Sequence, residues 1–128
     1  MTSNVELYRP AVTERAQYRC DYCHYPESAS NTVLEIDHIH PKAAGGQTSL
    51  GNLALACPRC NGRKSDKIVG FDPETKEQVR LFNPRLDQWE THFSLEPTTG
   101  GINGLTAIGR TTTQELAFNA PRAVTNRL

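Results

Sequence analysis

Apolar positions along this chain come in short alternating groups separated by polar turns, a spacing that favours brief strands over long helices. Residues 32–40, Thr-Val-Leu-Glu-Ile-Asp-His-Ile-His, are β-branched and alternating. They predict a strand that stops near Pro41, because proline cannot continue a central ladder. Residues 42–48 read as a loop in which Gly45-Gly46 permits backbone conformations that other residues avoid. Residues 50–56 read as a short apolar return strand carrying Asn52, and residues 58–67 as a polar helix weakened by Gly62. Upstream, residues 13–19 predict a helix capped at or near Thr13, with Arg15 and Arg19 one turn apart on one face. Downstream, 68–71 and 78–82 predict a hairpin turning through an acidic, proline-containing stretch, and 92–96 with 102–107 predict a second. A helix over 111–119, with Glu115 three residues after Thr112 in a capping-box pattern, and a short helix opened by Pro121 complete the chain.

With 128 residues and 37% hydrophobic content the chain suffices for one compact unit and not for two. Fourteen Lys plus Arg balance fourteen Asp plus Glu, which removes the simplest argument for nucleic-acid binding, a globally basic surface. Any such activity must be local. One stretch stands out: Arg59, Arg63, Lys64 and Lys67 place four cations within nine positions against the single acid Asp66. The start, Met1-Thr2-Ser3-Asn4-Val5-Glu6, lacks the basic flank and apolar stretch of a signal peptide, and no apolar run is long enough to span a bilayer. The expectation is a cytoplasmic protein with no membrane partner.

All four cysteines fall into two pairs, Cys20-Asp21-Tyr22-Cys23 and Cys57-Pro58-Arg59-Cys60. Two residues between thiolates let one tight turn aim both sulfurs at a single ion, and two such knuckles complete a tetrahedron, so the doubled pattern points to structural Zn²⁺. Disulfides rarely persist in a reducing compartment. A redox pair would need only one such pair, at a strand-to-helix junction that the surrounding text does not supply. His24 follows Cys23 directly and is either an alternative ligand or simply exposed.

Asp37-His38-Ile39-His40-Pro41, then Gly45-Gly46, Ser49-Leu50-Gly51-Asn52-Leu53, and Cys57-Pro58-Arg59-Cys60-Asn61-Gly62-Arg63-Lys64 together resemble the HNH endonuclease motif in its zinc-ribbon form. The resemblance covers residues 15–67 and departs at its last letter, where Asn61 stands in place of the histidine of many members. The remainder, with Leu81-Phe82-Asn83-Pro84-Arg85, Trp89, His92-Phe93 and residues 104–110, is similar to the C-terminal extension of small stand-alone bacterial HNH proteins. The fold so implied is α+β: a ββα-metal motif stapled by a Cys₄ zinc site, with a C-terminal hairpin and helix extension. A single domain over 1–128 is expected, its core at 5–70 and its extension at 71–128.

The resemblance also implies roles. His38 is the general base on water, which an imidazole pKa of ~6.5 suits. Asp37 and Asn61 hold a divalent catalytic ion by oxygen atoms, and Asn52 braces the loop that presents His38. Lys64, Arg63, Arg59 and Lys67 meet the phosphates of DNA. Oxygen ligation suits Mg²⁺ or Mn²⁺; adding His40, which shares the His38 face by period two, would move the preference toward Zn²⁺, Ni²⁺ or Co²⁺. Each residue has a plainer alternative: His38 as an ordinary strand histidine, Asn61 as a helix cap, Lys64 as a solvated side chain, and Phe82, Trp89 and Phe93 as core. Arg85 and Arg110 are the extension's candidates for widening a DNA surface. The implied activity is metal-dependent hydrolysis of DNA phosphodiester bonds. The competing function is a non-catalytic zinc ribbon that binds nucleic acid or protein. The sequence leaves the oligomeric state unassigned.

Overall fold

The computed structural model describes residues 4–31 and 33–128. Thr32, the first residue of the predicted strand, and Met1 to Ser3, within the start read as leaderless, lie outside the described residues.

The first helix, α1 (Arg9–Arg15), begins four residues before its predicted start because Pro10 sits in its opening turn, where a fixed φ and a missing N–H cost nothing. It ends where Gln17 and Tyr18 both turn left-handed, at φ of 56° and 59°. Thr13 is therefore a buried mid-helix residue and not a cap. Arg15 donates to the carbonyls of Leu50 and Leu53 at 2.9 and 2.6 Å, tying α1 to the hairpin that follows.

That hairpin pairs β1 (Glu35–His38) with β2 (Leu53–Ala56), antiparallel, Asp37 opposite Ala54 and His38 opposite Leu53. β2 is shorter than the pattern predicted, since Leu50–Asn52 form a 3₁₀ turn. α2 (Pro58–Lys64) lies against both strands. Its cap is Cys57, whose sulfur accepts from the Cys60 amide at 3.4 Å, so Asn61 does not take the capping role. Ser65, at φ 47°, stops the helix before its predicted end at Lys67.

In the extension, β3 (Val69–Phe71) pairs with β4 (Gln78–Arg80), and a single turn, α3 (Trp89–His92), leads into β5 (Phe93–Leu95), which pairs with β6 (Ile102–Gly104). α4 (Ala107–Glu115) and α5 (Pro121–Arg127) follow. α4 starts four residues earlier than predicted because the Thr106 hydroxyl caps it, accepting from the Gly109 amide at 3.0 Å. The predicted capping threonine, Thr112, is instead buried and accepts from the Phe82 amide at 2.9 Å. Gly109 is required where it stands: a Cβ there would lie 2.0 Å from the His92 carbonyl oxygen.

The architecture is α+β, with three two-stranded antiparallel sheets among short helices in the described residues. Leu81, Phe82, Phe93, Leu116, Phe118 and Ala123 from the extension share one buried cluster with Val12, Tyr22, Leu34, Leu53, Leu55 and all four cysteines. Leu105 is exposed. Arg127 at the end of α5 donates to the carbonyls of Cys23, Gly100 and Phe118, fastening the last helix to the first cysteine knuckle. Among the described residues no helix is long and apolar enough to cross a membrane.

Candidate active site

The knuckles meet as their spacing required. The sulfurs of Cys20, Cys23, Cys57 and Cys60 all lie within 4.8 Å of one another, and all four residues are buried. Knuckle amides face the sulfurs: Cys23 N–H donates to Cys20 Sγ and Cys60 N–H to Cys57 Sγ, each at 3.4 Å. Burial pushes the Cys20 and Cys60 thiols up, so four thiolates share this space only with a cation among them. The donor set thus fits a closed, structural Zn²⁺. His24 is no ligand: it is left-handed at φ 61° and stacks on Trp89 with ring centroids 3.9 Å apart. Trp89 in turn donates its Nε1–H to the Tyr22 carbonyl at 2.9 Å, so its role is packing.

Directly after Cys60, α2 carries Asn61 and, one turn further on, Lys64, both reaching β1. Strand alternation puts Glu35 and Asp37 on one side of β1 and His38 on the other. Glu35 accepts from the Asn61 carboxamide nitrogen at 2.5 Å. That contact fixes which end of the amide is which, leaving the carboxamide oxygen free to turn outward. Asp37 is buried, with its Oδ2 accepting from the Tyr22 hydroxyl at 2.6 Å and lying 3.3 Å from Lys64 Nζ. Burial raises its pKa, against the opposing pull of Lys64 and Tyr22.

His38 faces an open cleft of about 380 Å³, lined also by Ile36, Lys42, Asn61, Ser65 and Asp66. Its Nε2 lies 2.9 Å from Thr48 Oγ1 on the glycine-containing loop. Burial, with Lys42 and Lys64 outweighing Asp37, lowers its pKa and keeps the imidazole neutral at neutral pH. Asn52 spans that loop: its Oδ1 accepts from the His40 amide at 2.9 Å, and its Nδ2 donates to the carbonyls of His40 and Gln47 at 3.0 and 2.8 Å. Gly46 completes the turn, where a Cβ would fall 1.8 Å from the His40 oxygen.

Several residues stand elsewhere than the sequence reading put them. Lys64 was expected on phosphates, yet it is 2% exposed and held by Asp37 and by the His38 carbonyl at 3.1 Å. The helix face that carries it turns inward because Asp37 needs a buried counter-charge. His40 does not join the cleft: β1 ends at His38, so the period of two stops there, and His40 Nε2 bonds the Ala44 carbonyl at 3.1 Å. Arg63 donates to the Glu115 carbonyl and Lys67 pairs with its carboxylate, both turned toward α4. Arg59 donates to Cys23 Sγ at 3.4 Å and lies over the Tyr25 ring. Arg85 and Arg110 are taken by Asp21 and Asp72. Three site residues escaped the sequence reading. Glu35 shares the Asp37 face by its two-residue spacing, but that spacing does not reveal its contact with Asn61; Thr48 and Tyr22 carried no signal of their own, because the fold alone brings them to His38 and Asp37.

Fold and site together define a ββα unit, stapled at a four-cysteine cluster that fits zinc, whose strand end and helix frame one cleft. Residues 20–67 match the model of the HNH endonuclease family. Over 65 residues, half of its length, the chain is 38% identical to the CRISPR-associated endonuclease Cas9 of Corynebacterium diphtheriae. The chain spans 6% of that relative's length. No solved structure matches it significantly.

Proposed function

We propose that the protein is a metal-dependent endonuclease hydrolysing phosphodiester bonds in DNA. The observation that carries this is the convergence, on one cleft, of a neutral imidazole oriented by Thr48 and a carboxamide oriented by Glu35, in a segment of a nuclease family. With Nε2–H donated to Thr48, His38 Nδ1 carries the free lone pair and is the atom that takes the proton from water. The water oxygen bonds to phosphorus as the bond from phosphorus to the 3′ oxygen breaks, giving a 5′-phosphate and a 3′-hydroxyl. Asp37 and the Asn61 oxygen are hard donors, so they fit Mg²⁺ or Mn²⁺ better than a softer ion, and His40 adds nothing to this set. A divalent ion bound there supplies charge neutralisation at the phosphate and the leaving oxygen. Lys64 opposes the rise that burial imposes on the Asp37 pKa, and Asn52 holds the loop that carries Thr48.

Nicking of supercoiled plasmid by the zinc-loaded protein, with and without added Mg²⁺ or Mn²⁺, tests the reading. Cleavage is expected only with the added ion and is expected to be lost in His38→Ala prepared in parallel. If no form of DNA is cut with either ion, the segment is a non-catalytic zinc-ribbon binding module instead.

A further inference from the structure

At the cysteine-knuckle end of α2 lies a second recess, of about 590 Å³, on which Arg59 and Arg122 open together with Asn31, Asn126, Ser30 and Tyr25. No carboxylate lines it, whereas the catalytic cleft carries Asp37 and Asp66. Arg59 is already fixed in place by the Tyr25 ring, 5.8 Å from its guanidinium carbon, and by Cys23 Sγ, while its buried Nε has no hydrogen-bond partner. Asn126 donates to the Tyr25 hydroxyl at 2.7 Å, which ties the α5 side of the recess to the knuckle side. Arg122 is the more telling residue. The other thirteen Lys and Arg side chains each have an acid, carbonyl, sulfur or other partner, and among the described residues Arg122 alone has none. It is an exposed cation without a partner beside the half-buried Arg59, whose own counter-charge is the cysteine cluster beneath the recess, and Asn31 and Asn126 share the lining.

We propose that this recess binds a backbone phosphate of the DNA that is cut in the cleft. The two openings lie on the same side of α2, since Arg59 of the recess and Gly62 of the cleft stand three residues apart on the helix. From Arg59 to the helix end at Lys64 the axis rises roughly 7.5 Å at 1.5 Å per residue. That span corresponds to about two nucleotides at 3.4 Å each, placing the phosphate in the recess that far from the scissile one. Gly62 lies between the two openings with nothing within 4 Å of where its Cβ would be, so a strand can run close over the helix there. The proposal takes the identity of the ligand from the endonuclease reading, but binding is measured without cleavage.

The test is fluorescence anisotropy of a short labelled duplex against the full-length zinc-loaded protein across a salt series, without added Mg²⁺ or Mn²⁺. Arg122→Ala should lower affinity roughly three- to tenfold at low salt and reduce the slope of log affinity against log salt by about 0.9, the loss of one phosphate contact. Arg122→Glu should lose more and Arg122→Lys should retain most binding. Zinc content and melting temperature should not change, because Arg122 holds nothing in the fold. Lys76→Ala serves as a charge-matched control on the β3–β4 turn. Unchanged affinity and slope in Arg122→Ala and Arg122→Glu, an equal loss in Lys76→Ala, or no binding by the wild type would each overturn the proposal. Binding that responds as expected in a protein that cuts no DNA would leave the recess standing and defeat the endonuclease reading alone.

Discussion

At the scale of single residues, the site depends on side chains that touch neither water nor phosphate. Lys64 and Asp37 form an ion pair at 2% and 6% exposure, and removing one member leaves the other charge buried and alone. Lys64→Met should therefore destabilise the fold by about 3–5 kcal/mol in denaturant titration, with lost activity following from lost structure. A loss in DNA affinity at unchanged stability would instead return Lys64 to the phosphate-binding role that the motif suggested. Thr48 offers a subtler test. Thr48→Val keeps the shape and removes the group that orients the His38 ring, so kcat should fall roughly 10-fold or more while KM holds, and Thr48→Ser should restore most of the rate. The motif made Asp37, His38 and Asn61 legible because its letters stand in two short fixed strings, Asp37-His38 at the strand end and Asn61 directly after Cys60. Glu35 and Thr48 were not, because what matters about them is a contact across strand and helix or across a loop.

At the scale of elements, short-range pattern located both hairpins and the last two helices of the extension but missed the single turn α3, with His92 placed in a strand, and misplaced the start of α4, since a threonine can cap only where the chain is free to turn, and a β-strand ending at Gly104 decided that. Gly62 in α2 was read as a weakness, and its helical conformation and open Cβ position make Gly62→Ala stabilising, by about 0.5–1 kcal/mol. If a strand passes over α2, Gly62→Leu should nonetheless lower DNA affinity in a protein that folds normally. The β3–β4 turn is held to α4 by Asp72, which accepts from the Glu74 amide, the Thr75 hydroxyl and both Nε and Nη2 of Arg110. Arg110 holds the Asp72 carboxyl well below the usual carboxylate range. A carboxyl lowered in the folded state stabilises above its unfolded pKa of ~3.9, and that stability is lost only as pH falls below this value toward the folded one. Asp72→Asn should thus melt below wild type by a gap that stays constant from pH 7 to about 4 and narrows only beneath it. A gap closing already between pH 6 and 5 would contradict the assignment.

At the scale of the whole molecule, the buried cluster runs through the cysteines and both sides of residue 70, and Arg127 binds the last helix to the first knuckle. We infer one cooperative unit over 1–128. Stripping Zn²⁺ with a chelator, or Cys57→Ser, should unfold the extension together with the knuckles, because the ion's binding energy is part of the folding energy. Circular dichroism and tryptophan emission should report one transition, since Trp89 sits against His24 and Tyr22 of the first knuckle. Residues 1–70 alone should be poorly soluble, lacking Phe82, Phe93 and Phe118. A dispersed NMR spectrum from that fragment would divide the chain into two units. The cysteine spacing made the staple legible. How the extension closes over it was not, because Arg127 and Phe118 meet the knuckle and its core through contacts far apart in sequence.

The central claim is that His38 moves the proton while Asp37 and Asn61 hold the ion. Single-turnover cleavage of plasmid DNA by His38→Ala and Asn61→Ala across a Mn²⁺ titration, at matched zinc content, tests it most directly. Asn61→Ala should regain much of its rate as Mn²⁺ rises, whereas His38→Ala should remain roughly 10²–10⁴-fold slow at every concentration. His38→Ala cutting at the wild-type rate, or recovering with Mn²⁺ as Asn61→Ala does, would contradict the account.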